Sequence, residues 1–220
     1  MKPMVSLPMA GAVIVGVAVT VFVFVMPMMS PTLGTWPAAA HGRHDVAFPP
    51  RDGLRNGDLI LRSGTSRDSR LVRLFDRESV YSHIGLVDVR QATPYVVHIE
   101  PGSGDDESLV RRERLETFLA PERASAFAVL HVIPPDDRRG VAAIEAALRY
   151  QSQGVGFDKQ YDLRTADEMY CSELVWRAYV DAGLDLVDGA FGRPGWLNGP
   201  VVWLSELARS RHLAVALASP

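Results

Sequence analysis

Tyr170-Cys171-Ser172-Glu173-Leu174-Val175-Trp176-Arg177-Ala178-Tyr179-Val180-Asp181-Ala182, closed by Gly183, is the stretch on which the reading of this chain turns. Leu174, Val175, Ala178, Tyr179 and Ala182 recur at helical spacing as one apolar stripe, and one turn back along it stands Cys171. The thiol therefore faces the core from the first turn of a helix. Unpaired N–H groups and the positive dipole end are there, and both favour thiolate over thiol. Glu173 opposes this by its charge, and Thr165-x-x-Glu168 resembles a capping box that would start the helix earlier and leave Cys171 in its second turn. Cys171 is the single cysteine of the chain, so no intrachain disulfide forms; it is free, reactive or paired with another chain. By composition alone a lone cysteine is more often a small buried hydrophobe, so reactivity has to be argued from a base.

Tyr81-Ser82-His83-Ile84-Gly85-Leu86-Val87 supplies one. In strand alternation His83 and Gly85 share a face, which leaves empty space beside the imidazole for a substrate. Ser82 points the other way and cannot pair with His83 as a nucleophile. Strand candidates at 80–90 and 94–100 form a hairpin; centred between Gln91 and Ala92, it sets Glu100 opposite His83 and His98 opposite Gly85. A carboxylate at Glu100 would orient the imidazole and stabilise its charged form, the third role of a triad. His98, on the same face, is the reserve for that role.

Outward from these blocks, Asn56-Gly57-Asp58 is a turn leading into the apolar run Leu59-Ile60-Leu61, read as a buried strand. Residues 66–77 place Leu71, Leu74 and Phe75 on one helical face. Ala126 to Ile133 is a further strand, and 136–153 a helix whose Ala142, Ala143, Ala146, Ala147 and Tyr150 form a narrow packing face. A short helix or turn near 201–209 and a last strand at 213–217 complete the domain. Gly102, Gly104 and Asp105-Asp106-Glu107 mark a surface loop.

Met9 to Met29 is free of charge, rich in Val and Met, and preceded by Lys2. About 20 residues of helix span a bilayer core, so residues 1–29 read as a membrane anchor or signal segment. Ala38-Ala39-Ala40 is a possible cleavage site but lies far from the apolar end, which favours a retained anchor. Residues 30–55, with Pro31, Pro37, Pro49 and Pro50, have linker composition, and 56–220 is one folded domain. The domain is expected outside the cytoplasmic membrane, either anchored or, after cleavage, secreted or periplasmic. A net charge of -3 and a pI near 6.1 exclude the broad positive field of a nucleic-acid binder.

Asn56-Gly57-Asp58-Leu59-Ile60, Tyr81-Ser82-His83-Ile84-Gly85, Tyr161-Asp162 and Tyr170-Cys171-Ser172-Glu173-Leu174-Val175 together resemble the permuted papain-like amidases of the NlpC clan, YiiX type. The resemblance runs from about residue 56 to 183. It implies an α+β, circularly permuted papain-like fold, a small antiparallel sheet or half-barrel packed on the cysteine helix. It also implies cleavage of amide or ester bonds through an acyl-cysteine, without metal or organic cofactor. Cys171, His83 and Glu100 fall at the family's catalytic positions in the permuted order, while Tyr81, Tyr161, Asp162 and Tyr170 are candidates for the cleft. The Cys171 N–H would be one oxyanion donor. The implied substrate is a peptide or acyl group of the cell envelope. Acyl transfer or lipid hydrolysis on the same fold is the rival chemistry, and a non-catalytic binding module the rival class.

Overall fold

The computed structural model describes residues 48–102 and 109–219, apart from the side chains of 67, 68 and 71. The expected anchor at 1–29, most of the linker and the acidic tip of the 101–108 loop lie outside the described residues. Among those described, no helix is long and apolar enough to cross a membrane.

Every strand read from the sequence is present, as β1 (Leu59–Gly64), β2 (His83–Asp88), β3 (Tyr95–His98), β5 (Ala124–Val132) and a terminal strand Leu213–Ala218, and they are joined by an unexpected β4 (Arg111–Arg114). Together they make one open antiparallel sheet in the order β4-β3-β2-β1-β5-terminal strand. The β2–β3 hairpin pairs Leu86 with Val97 and Asp88 with Tyr95, the register expected from a turn centred on Gln91 and Ala92. The strand Arg111–Arg114 has no apolar alternation to announce it; it is recruited by the edge of β3, where Val97 pairs with Arg112.

Helices α1 (Arg67–Phe75), α2 (Leu115–Phe118), α3 (Asp137–Ser152), α4 (Cys171–Asp181) and α5 (Leu204–Ala208) surround the sheet. Leu59, Leu61, Ile84 and Leu86 point to one face and pack with Ala143, Ala147, Leu174, Val175 and Ala178 of α3 and α4. Ile60, Val87, Val96 and Val129 point to the other and pack with Phe118 and Leu119. The small residues of α3 allow close approach: a Cβ on Gly140 would lie 2.0 Å from Asn56 O. Tyr179 Oη from α4 donates to Gly57 O at 2.5 Å, anchoring α4 beside the start of β1. Ahead of β1, Arg51–Gly53 forms one 3-10 turn and Leu54 is buried, so packed structure extends into the C-terminal end of the proline-rich stretch.

Candidate active site

The α4 N-terminus begins at Cys171, with Tyr170 as its extended N-cap. The Thr165-x-x-Glu168 box does not start it. Thr165 Oγ1 donates instead to Asp162 O and Glu168 O, and Glu168–Met169 pairs in parallel with Gly156–Phe157. The end of α4 is held on several sides. Tyr170 Oη accepts from Val202 N–H at 2.8 Å, and Ser172 Oγ donates to Val202 O at 2.7 Å. Glu173, fully buried, accepts from Arg177 Nε at 2.7 Å, and Arg177 Nη2 donates to Leu163 O and Thr165 O. The helix end and the 158–168 segment are thereby clamped to each other.

Cys171 is half-buried and lines a cavity of about 720 Å³ with His83, Arg62, Glu100, Arg123, Tyr161, Tyr170 and Trp203. Burial pushes its thiol up to about 11; the backbone N–H groups of Ile84, Ser172 and Cys171 and the charge of Arg62 lower it only in part. The expected first-turn stabilisation of a thiolate is therefore outweighed by desolvation. Ile84 is the neighbour of His83 on β2, so the N–H it turns towards the sulfur ties the thiol to the histidine strand.

His83 is buried, and burial followed by the charge of Arg62 drives its imidazole well below the usual range. Its Nε2 lies 2.9 Å from His98 Nδ1, the rings set edge to face. The nearest oxygen of Glu100 is 3.9 Å away. Glu100 stands across from His83 as the register requires, but its carboxylate is taken by Arg62 Nη2 and Arg123 Nη2, each at 2.5 Å. His98, the reserve, is the group in contact with His83 Nε2. The physical reason is Gly85: a Cβ there would lie 2.9 Å from His98 Cβ and 2.5 Å from Val96 Cγ1. The space expected to admit a substrate is filled by the side chains of Val96 and His98.

Behind His98 stands Glu113, with Oε1 2.8 Å from His98 Nε2, an ion-pair distance without the alignment of a full hydrogen bond. Burial works against its charge, but His98 and Arg123 hold its carboxyl down at about 2. Glu113, Arg62 and Arg123 escaped the sequence reading. Arg62 carried one usable signal, a charge inside an apolar strand; it pairs with His83 across β1 and β2 and is buried. Of the cleft candidates, Tyr161 and Tyr170 do line the cavity, with rings 5.0 Å apart. Tyr81 is a core residue, fully buried, its hydroxyl near Phe127 O at 3.4 Å. Asp162 is not in the cavity wall and pairs with Arg164.

The crystal structure of metalloprotein yiiX from Escherichia coli O157:H7 superposes with a TM-score of 0.60 at 22% identity, over 74% of this chain and 96% of that one, which establishes the likeness of fold. The uncharacterized protein YiiX of Escherichia coli K12 is 26% identical over 132 residues, 58% of this chain and 58% of that relative's length. The model of the permuted papain-like amidase enzymes, YaeF/YiiX, C92 family, matches residues 53–190 and so takes in β1, the histidine strand and the cysteine helix. This chain belongs to that family of permuted papain-like amidases.

Proposed function

We propose that the protein is an exported thiol-dependent hydrolase that cleaves amide, and in related substrates ester, bonds of the cell envelope through an acyl-Cys171 intermediate. The observation that carries this is the hydrogen bond between the buried His98 and His83, which lines the cavity together with Cys171. It supports an assignment of the base to one nitrogen. An ionised Glu113 2.8 Å from His98 Nε2 favours the proton on that nitrogen, which makes His98 Nδ1 the acceptor. His83 must then donate from Nε2, which leaves His83 Nδ1 free to take the thiol proton.

In this reading Cys171 and His83 rest as neutral thiol and neutral imidazole, in keeping with the upward shift of one and the downward shift of the other. Attack transfers the thiol proton to His83 as the S–C bond forms. The Cys171 N–H, which as the first of helix α4 has no acceptor within the helix, donates to the oxyanion. His83 then returns the proton to the leaving nitrogen or oxygen, and water releases the acyl group by the reverse sequence. His98 and Glu113 are positioning residues.

A metal-dependent reading draws on the name of the Escherichia coli O157:H7 structure and on the grouping of His83, His98 and Glu100, one donor atom from each falling within 4.8 Å of the others. The donor chemistry does not fit. Both oxygens of Glu100 are engaged by guanidinium groups at 2.5 Å, a third guanidinium, from Arg111, lies at 4.0 Å, and the two imidazoles are already bonded to each other.

Intact-protein mass after exposure to activated acyl probes, followed by peptidoglycan fragments and acyl lipids, tests the proposal. A stoichiometric adduct on Cys171 that is absent in Cys171→Ala and slowed in His83→Ala is expected. Acylation of folded His83→Ala at the wild-type rate overturns it. Turnover of lipids but not peptides would favour the rival acyl chemistry.

A further inference from the structure

We propose that the open face of α1, together with Trp196, docks onto an anionic membrane surface at the mouth of the Cys171 cavity. Three of the seven large apolar residues exposed among the described residues meet here: Leu74 at 54%, Phe75 at 44% and Trp196 at 53%. The Phe75 and Trp196 rings are in contact, tilted at 38° with centroids 4.4 Å apart, and Trp196 lies 6.4 Å from Trp203, so the aromatic part of the patch is built by packing. Asp76, next to Phe75, is buried and accepts from Ser205 N–H at 2.9 Å, so the end of α1 is fixed against α5. Phe75 and Trp203 also line the cavity, which makes the patch its rim.

The charges around the patch select the occupant. Arg70, one turn before Leu74, and Arg77, just after the helix, are exposed, as is Arg193 three residues before Trp196. Nearby Glu78 is paired with Arg209. The chain as a whole carries a net charge of -3, so this basic margin is a local departure. A short arginine-bearing helix with aromatic residues on its apolar side is the pattern of an interfacial segment, in which Trp and Phe enter the headgroup boundary and Arg meets lipid phosphate. The uncharged run 9–29, as a tether, would keep the domain within reach of such a surface. The inference leans on that anchoring reading but is separable from it, because a chain held by 9–29 alone would leave Trp196 in water.

The test uses the full chain reconstituted in vesicles of phosphatidylcholine and phosphatidylglycerol with brominated acyl chains. Tryptophan fluorescence of the wild type is compared with Trp196→Phe, a variant that keeps an aromatic ring at this position and removes one emitter. A loss of fluorescence in the wild type that Trp196→Phe does not share is expected. Arg70→Gln and Arg77→Gln should each weaken docking about fivefold, the equivalent of about 1 kcal/mol per surface arginine. Equal fractional quenching of wild type and Trp196→Phe overturns the proposal. So does Trp196-specific quenching that is unchanged without phosphatidylglycerol, or a detergent-solubilised dimer dissociated by Trp196→Glu, which would make a second copy the occupant. Acylation of Cys171, measured on the same samples, reports on the hydrolase reading independently.

Discussion

His83 Nε2 stands 2.9 Å from His98 Nδ1, and that contact puts a second histidine where the hairpin register led us to expect a carboxylate. Glu100, at 3.9 Å and bound by two arginines, belongs to the electrostatic frame around the pair. His98→Ala should therefore lower kcat/KM by about 10–100-fold, the usual cost of removing an orienting partner, while Glu100→Gln leaves His83 oriented and falls by less. Steady-state kinetics on any substrate found decide it; a deeper loss in folded Glu100→Gln than in His98→Ala would return the role to Glu100.

In the proposed mechanism Glu113 acts only through the proton on His98. Glu113→Gln can donate as well as accept, so the His98 tautomer is no longer imposed and His83 Nδ1 is no longer reserved as the base. A loss in kcat of about tenfold, with KM nearly unchanged, is expected. Nitrogen NMR of the two imidazoles should show mixed tautomers in the variant and one tautomer each in the wild type. Because Glu113 is held at about 2, its own protonation does not shape the acid limb of activity at ordinary pH.

Gly85→Ala is a one-carbon test of the same arrangement. The new methyl would meet Val96 Cγ1 at 2.5 Å and His98 Cβ at 2.9 Å, and Val97 O at 3.0 Å. Overpacking of this kind costs about 1–3 kcal/mol. Thermal denaturation should register that loss, and residual activity per folded molecule should also drop because His98 is pushed from His83. A variant as stable and as active as the wild type would show that the ring does not depend on the missing side chain.

The pH dependence of Cys171 alkylation follows from the direction of two shifts. The thiol is raised to about 11, so the thiolate is scarce at neutral pH and grows as pH climbs towards that value. His83 is lowered, so it stays neutral well below pH 6.5 and does not hold the thiolate as an imidazolium partner. Iodoacetamide labelling should thus be slow at mildly acidic pH and rise through the alkaline range, the reverse of what a cysteine at a helix N-terminus suggests by itself. Arg62→Gln should move the profile further up, since its charge favours the thiolate. A labelling plateau below pH 7 that disappears in His83→Ala would instead establish a resting ion pair.

The sequence by itself determined the principal strands and helices and their faces. Leu59-Ile60-Leu61, the alternation from His83 to Asp88 and the stripe from Leu174 to Ala182 are local periodicities, and burying one face of each leaves little freedom in how they pack. The hairpin register was also legible, because a short turn sets the pairing of both arms. Tertiary structure decided which side chain on that face touches His83, since this depends on the space over Gly85 and on Arg62 and Arg123 reaching Glu100 from β1 and from the start of β5. It decided the place of Glu113 as well, on a strand of four charged residues that is a strand only because β3 offers it an edge. It also set the balance at Cys171. The helix dipole is a property of local sequence, whereas desolvation is a property of everything packed around the thiol, and at this site the second is the larger.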